Sequence, residues 1–269
     1  MSFSYHLEGN PEGLEPELSL LWDLGCNGIE ERTGKDGKPD EVVAYFTNRL
    51  EIPLNGTWQE QDDVDWVKEY FEGLEPIYLE KLIIAPTHVE IDEVAQEGKR
   101  VIWLNPGMAF GTGHHETTYL ALADIEQRDF TGKSVLDVGA GSGILAIAAE
   151  MFGAETIEGL DNDPITIEIA EENAKANTTP KSRFYCKLLD DSYPSNAYDT
   201  VLANIYAEVH VDLAAQYNRI LKEGGELVTT GIMAEKLDMV LEALGQYFEI
   251  TSVTEKGNWR LVAGVKKAV

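Results

Sequence analysis

Three glycines at alternate positions, Gly139, Gly141 and Gly143, follow the apolar run Leu136-Asp137-Val138 and precede a stretch rich in Ala and Ile. Glycine lets a backbone turn tightly and approach a ligand closely. Asp161 stands at the end of the next apolar run. A carboxylate placed there can accept both hydroxyls of an adenosine ribose. Dinucleotide sites carry a third glycine five places after the first; here Ile144 holds that place and the glycine comes one residue earlier. S-adenosylmethionine has no pyrophosphate to cradle. Its amino-acid end carries an ammonium and its sulfur is cationic, which suits Asp137 just before the loop. The spacing therefore points to S-adenosylmethionine, with a nicotinamide oxidoreductase and a non-catalytic cofactor-binding module as the rivals.

A second candidate is Asn204, at the end of a later apolar run in Ala203-Asn204-Ile205-Tyr206. Methyltransferases of planar amino groups often carry Asn-Pro-Pro-aromatic at such a place. Both prolines are missing here, which weakens nucleobase and glutamine substrates. Asn204 is read as orienting a substrate amine, or as the N-cap of the helix that follows. His114 and His115 lack the partners of a metal site, so no metal is expected. Gly111 to Gly113 reads as a flap over the methionine end of the cofactor.

These residues need elements to hold them. From about residue 115 strands and helices alternate. Strands are expected at Ser134–Val138, Thr156–Leu160, Arg183–Lys187, Tyr198–Ala203 and Gly225–Thr230. Helices are expected at Ser142–Phe152, Pro164–Asn177, near 206–222 and at 234–245. Phe248–Thr254 and Trp259–Val265 read as a closing antiparallel pair. This pattern predicts an α/β fold with a doubly wound, mostly parallel sheet. Upstream, residues 2–7, Ile29–Thr33 and Val42–Phe46 read as strands. Glu15–Leu24 reads as a helix, and the turn-rich Gly34–Pro39 joins two of the strands. Residues 60–80, acidic with interleaved apolar positions, read as an amphipathic linking helix. Leu82–Pro86 and Arg100–Leu104 are further strands. The expected organisation is a small α+β domain at 1–60, a linker at 61–90 and a cofactor domain at 91–269.

The run Asn105-Pro106-Gly107-Met108-Ala109-Phe110-Gly111-Thr112-Gly113-His114-His115-Glu116-Thr117-Thr118 resembles the signature of the ribosomal protein L11 methyltransferases. So do Leu136 to Gly143, Asp161-Asn162-Asp163-Pro164 and Ala203 to Glu208. The resemblance covers about 105–265 and extends more weakly to the N-terminal part. It implies a Rossmann-like, seven-stranded methyltransferase sheet preceded by a ferredoxin-like substrate-recognition domain. It also implies a protein N-methyltransferase acting on α-amino and lysine ε-amino groups of a basic ribosomal protein of the large subunit. Another protein, RNA or a small amine is the alternative substrate. By the resemblance, Thr118, Gly139, Asp161 and Asn204 contact the cofactor; the glycine loop itself adds Gly141.

The chain has 269 residues and a formal net charge of -27, with 43% hydrophobic residues. That content supports a packed core. The charge repels phosphate backbones and attracts a basic protein partner, so no direct nucleic-acid contact is expected. Cys26 and Cys186 are too few and too far apart for a disulfide framework, as suits a reducing cytoplasm. No basic-then-apolar leader and no membrane-length apolar run is present, so a cytoplasmic monomer away from membranes is expected.

Overall fold

The computed structural model describes residues 2–9, 14, 17, 18, 20, 21, 24–26, 28–32, 40–46, 48–61, 75–105 and 115–268. The chain divides into two compact units, Met1–Glu69 and Tyr70–Val269.

The first unit is a four-stranded antiparallel sheet of β1 (Ser2–Glu8), β2 (Gly28–Arg32), β3 (Glu41–Phe46) and β4 (Thr57–Gln61), in the order β2-β3-β1-β4. Glu17, Leu18, Leu20 and Leu21 are helical in the expected place between β1 and β2. This gives the opening β-α-β-β of a ferredoxin-like pattern. Among the described residues, 48–56 form no helix before β4. Trp58 is the packing centre, its ring edge-on to Tyr5 and Phe46 at 5.1 and 5.3 Å. The Tyr5 hydroxyl donates to the Leu54 carbonyl and accepts from the Gly56 N–H, fixing the turn into β4.

The expected helix at 60–80 is corrected at both ends. Residues 60 and 61 finish β4, and Ile77–Tyr78 is strand β5; residues 62–74 lie outside the described ones, as do Gly34 to Pro39. β5 pairs antiparallel with β6 (Leu82–Pro86), which pairs parallel with β7 (Arg100–Leu104). A short helix, α1 (Glu93–Gln96), joins β6 to β7.

A third sheet has seven strands: β8 (Ser134–Val138), β9 (Thr156–Asp161), β10 (Ser182–Cys186), β11 (Tyr198–Asn204), β12 (Leu221–Met233), β13 (Phe248–Lys256) and β14 (Trp259–Lys266). Their order is β10-β9-β8-β11-β12-β14-β13. All neighbours are parallel except β14, which runs antiparallel between β12 and β13. Side chains alternate between the two faces, as a strand's period of two requires. Val135, Leu202, Val228 and Leu261 join α2 (Glu116–Ile125), α3 (Ile144–Met151), α4 (Pro164–Ala176) and β6 in one core. Leu136, Val201, Leu227 and Val262 face α5 (Ala207–Ile220) and α6 (Leu237–Leu244) in the other.

β12 begins four residues before the expected start at Gly225. Its pairing with β11 jumps from Leu221 to Glu226, and Gly224 sits in the bulge at φ 68°. Helix α2 has no counterpart among the expected helices. Thr117, Thr118, Leu120, Ala121, Leu122 and Ile125 are buried along it.

Leu82, Ile83, Ile84 and Ala85 of β6 are fully buried. Burying a side chain of the Leu or Ile kind stabilises by about 1.5–3 kcal/mol. A fragment of residues 70–269 is therefore expected to melt cooperatively. One starting at residue 90, which lacks β5 and β6, is expected to lose several kcal/mol. Equal melting temperatures in calorimetry would contradict this placement of β6.

Candidate active site

The order reverses between β8 and β11: the chain leaves β8 toward β9 on one side and reaches β11 on the other. Ligands bind at such a point, beyond the carboxyl ends of the strands. A cleft of about 850 Å³ lies there. Gly139 and Gly141 follow β8, Asp161 ends β9, Lys187 to Leu189 follow β10, Asn204 ends β11 and Ile205 follows it; all of them line the cleft.

The glycine loop is tied down at nearly every step. The N–H groups of Gly139 and Ala140 both donate to the Leu160 carbonyl at 2.8 Å, and the Gly143 N–H donates to the Ala140 carbonyl. Gly141, at φ 51°, donates its N–H to Asp161 Oδ2 at 2.9 Å. Asp161 Oδ1 accepts from the Asp163 N–H at 3.1 Å. Each carboxylate oxygen has a further lone pair for a hydroxyl. The third glycine has a packing role. A Cβ on Gly143 would stand 2.7 Å from Phe184 Cζ, so the residue lets α3 approach β10.

Asp137 is fully buried, and its Oδ2 accepts from the Ala146 N–H in the first turn of α3 at 3.1 Å. Its Oδ1 has no hydrogen-bond partner among the described residues. Burial pushes the carboxyl up to about 7; the Ala146 hydrogen bond opposes this and the nearby Asp161 adds to it.

Asn204 does not cap the helix after it. The N-cap of α5 is Tyr206, which makes no side-chain cap bond. Asn204 Nδ2 donates instead to Thr118 Oγ1 at 3.3 Å. The next residue, Ile205, is wedged between two glycines. A Cβ on Gly139 would overlap its Cγ2, and one on Gly231 (φ 87°) its carbonyl oxygen. The Ile205 N–H donates to the Thr230 carbonyl at 3.2 Å. The same carbonyl accepts from Nε2 of the buried His210 at 2.8 Å. Burial drops His210 to about 4, its bonds to Thr230 and Ile205 backbone opposing. The residue is a neutral brace under the Asn204-Ile205 turn.

At the other lip, His115 caps α2. Its Nδ1 accepts from the Thr117 hydroxyl at 2.8 Å, and its ring meets Trp259 edge-on at 4.9 Å. Residues 106–114, with His114 and the glycines 111–113 read as a flap, lie outside the described ones.

Of the residues expected to hold a cofactor, Gly139, Gly141, Asp161 and Asn204 thus converge on one cleft. Thr118 is buried behind Asn204 and does not line it; its neighbour Thr117 does. Sequence reasoning passed over Thr117, Leu188, Leu189, Ile205, Gly231 and Trp259. Only Gly231 carried a signal, since an isolated glycine in a strand pattern marks close backbone approach. The apolar residues look like any core positions until the fold brings them to the cleft.

A seven-stranded sheet of this order, with a glycine loop and a strand-end acid at its reversal, defines a Rossmann-like methyltransferase. Comparison with known proteins sharpens the class. Residues 33–267 match the family model described as ribosomal protein L11 methyltransferase (PrmA). The ribosomal protein L11 methyltransferase of Thermus thermophilus is 39% identical over 262 residues, covering 96% of this chain and 98% of that protein. That of Deinococcus radiodurans is 38% identical over 273 residues, covering 96% and 97%. The crystal structure of a ribosomal protein L11 methylase from Lactobacillus delbrueckii subsp. bulgaricus aligns with a TM-score of 0.64 at 33% identity. It covers 71% of this chain and 96% of that one. The chain belongs to the ribosomal protein L11 methyltransferase family.

The buried Asp137 yields a stability prediction. Its native pKa, near 7, lies above the ordinary carboxyl value of 3.8. The native state therefore holds its proton between about pH 4 and 7 while the unfolded chain has lost it, and stability falls as pH rises through that window. Asp137→Asn removes the slope. Its stability relative to wild type is expected to improve from pH 4 to pH 8 by up to about 4 kcal/mol. A difference between the two proteins that stays flat with pH in denaturant titrations would contradict this.

Proposed function

We propose that this chain transfers methyl groups from S-adenosylmethionine to amino groups of ribosomal protein L11, both α-amino and lysine ε-amino. The observation that carries the cofactor reading is what already occupies the loop. In a dinucleotide site, loop N–H groups and a helix N-terminus face phosphate. Here the N–H groups of Gly139, Ala140, Gly141 and Gly143 have partners inside the protein, and two of the acceptors in this region are the carboxylates of Asp137 and Asp161. A pyrophosphate would meet committed donors and the Asp161 carboxylate that lines the cleft. A ligand with an ammonium and a sulfonium meets the opposite.

Asp161 would hold the ribose hydroxyls, Leu188, Leu189 and Ile205 the base, and Gly139 and Gly141 the amino-acid end. The cofactor supplies an electrophilic methyl on a cationic sulfur. The chain's own work is to bring a neutral amine to it. Asn204 Nδ2 uses one of its two N–H groups on Thr118, which orients the amide, and Oδ1 is the atom of Asn204 that can accept from a substrate N–H. The aromatic lip of His115 and Trp259 excludes water from the amine, and desolvation favours its neutral form. Neutralising a lysine at pH 7 costs about 4.6 kcal/mol, against about 1.4 for an α-amine. No base is required beyond water. The N-terminal unit is assigned to substrate recognition, in keeping with a basic partner and a chain of net charge -27.

The direct test is labelled methyl transfer to purified L11, with the modified amines located by mass spectrometry. Label on L11 amines is expected, and label appearing only on RNA or small amines would overturn the substrate reading. The fragment 70–269 is expected to bind S-adenosylmethionine and to lose most transfer to L11. Asp161→Ala is expected to weaken cofactor binding at least tenfold in calorimetry while the protein still melts cooperatively. Unchanged affinity would remove Asp161 from the site. Transfer should also rise with pH, lysines continuing to gain well above pH 8 where α-amines level off. Parallel profiles for the two amine classes would count against amine neutralisation as the controlling step.

A further inference from the structure

One buried polar side chain outside the cleft touches the glycine loop from behind. Asn173 lies on α4 and is 1% exposed. Its Nδ2 donates to the Ser142 carbonyl at 2.9 Å, between the second and third loop glycines. Its Oδ1 accepts from the Asn105 N–H, also at 2.9 Å, just after β7. Asn105 is held in turn by Thr87, whose hydroxyl donates to its Oδ1 at 3.0 Å. One amide therefore spans two segments that the sequence separates widely.

The same helix offers an internal control. Asn177, four residues on, forms a bridge of its own. Its Oδ1 accepts from the Trp103 N–H at 2.7 Å and its Nδ2 donates to the Trp103 carbonyl at 2.6 Å. It pins β7 to α4 as an added strand would. None of its bonds reaches the glycine loop; its third partner is the Asn173 carbonyl within the helix. Asn173 and Asn177 are thus similar in chemistry and differ in what they hold.

We infer that Asn173 is a positioning residue for the cofactor loop, fixing the peptide at Ser142 so that Gly139 and Gly141 present the geometry the ligand needs. The neighbouring bonds show why one more is needed. Leu160 and Asp161 fix the first half of the loop through its N–H groups. Ser142 is the step at which the chain turns into α3, and there Asn173 provides a carbonyl-side hold. Without that donor the buried carbonyl would lose a partner, a cost that the loop can lower by shifting. The inference rests on the cofactor reading given above.

The test compares Asn173→Leu with Asn177→Leu in the full chain, by hydrogen exchange of the loop amides without ligand and by calorimetric titration with S-adenosylmethionine. Both variants are expected to lose thermal stability. Only Asn173→Leu is expected to speed exchange at Gly141 and Gly143 relative to the sheet, and to weaken the cofactor tenfold or more. Its KM for the cofactor should rise while kcat at saturation changes little. Asn173→Asp keeps the acceptor for Asn105 and loses the donor to Ser142, so it should share the loss even if the Leu variant does not fold. Normal affinity and exchange in a folded Asn173 variant would overturn the inference. So would equal losses in the Asn173 and Asn177 variants, which would mark a purely structural role. Failure of the wild type to bind S-adenosylmethionine would refute the cofactor reading instead, and the exchange arm would still decide whether Asn173 holds the loop.

Discussion

Two carboxylates on one stretch of backbone set the terms for everything else in the catalytic unit. Asp161 takes the N–H of Gly141 and Asp137 takes the N–H of Ala146. Between them they fix where the loop turns and where α3 begins, and Asp161 brings its carboxylate to the cleft. Placing a carboxyl in a fully buried position opposes stability once it ionises. Asp137 accepts that penalty beside the helix terminus, where the aligned peptide dipoles favour a negative group.

The remaining structure can be read as support for that loop from three sides. β9 holds it through the Leu160 carbonyl, α4 through Asn173, and β11 through the close fit of Ile205 against Gly139. The last contact ties the loop to the Asn204 turn. That turn is itself braced by Thr230, Gly231 and the neutral His210. Gly231 must be glycine twice over, for its φ of 87° and for the Ile205 carbonyl against it. The glycine loop and the Asn204 turn are thus coupled through packed backbone.

Much of this was legible in the sequence because it is local. Ser134–Val138 is a strand at the expected residues, and the loop, Asp161 and Asn204 fall at strand ends as their spacing required. The closing antiparallel pair was likewise visible in its alternation. What could not be read depends on partners far away in the chain. Asn173 looks like an ordinary polar residue on an amphipathic helix; its meaning comes from Asn105, 68 residues earlier. Thr118 was expected to contact the cofactor on the strength of its motif; nothing in the sequence signalled that its hydroxyl also accepts from Asn204 across 86 residues. The start of β12 was hidden because a glycine pair weakens a strand pattern, and the strand was expected to start only at Gly225; the sheet absorbs the pair in a bulge.

The proposed cofactor reading requires a loop that takes a cationic ligand and refuses a pyrophosphate. Side-by-side calorimetric titration of the wild-type protein with S-adenosylmethionine and with NAD tests it most directly. Saturable one-to-one binding of S-adenosylmethionine is expected, with no detectable heat from NAD under the same conditions. Saturable binding of NAD, or binding of NAD alone, would contradict it.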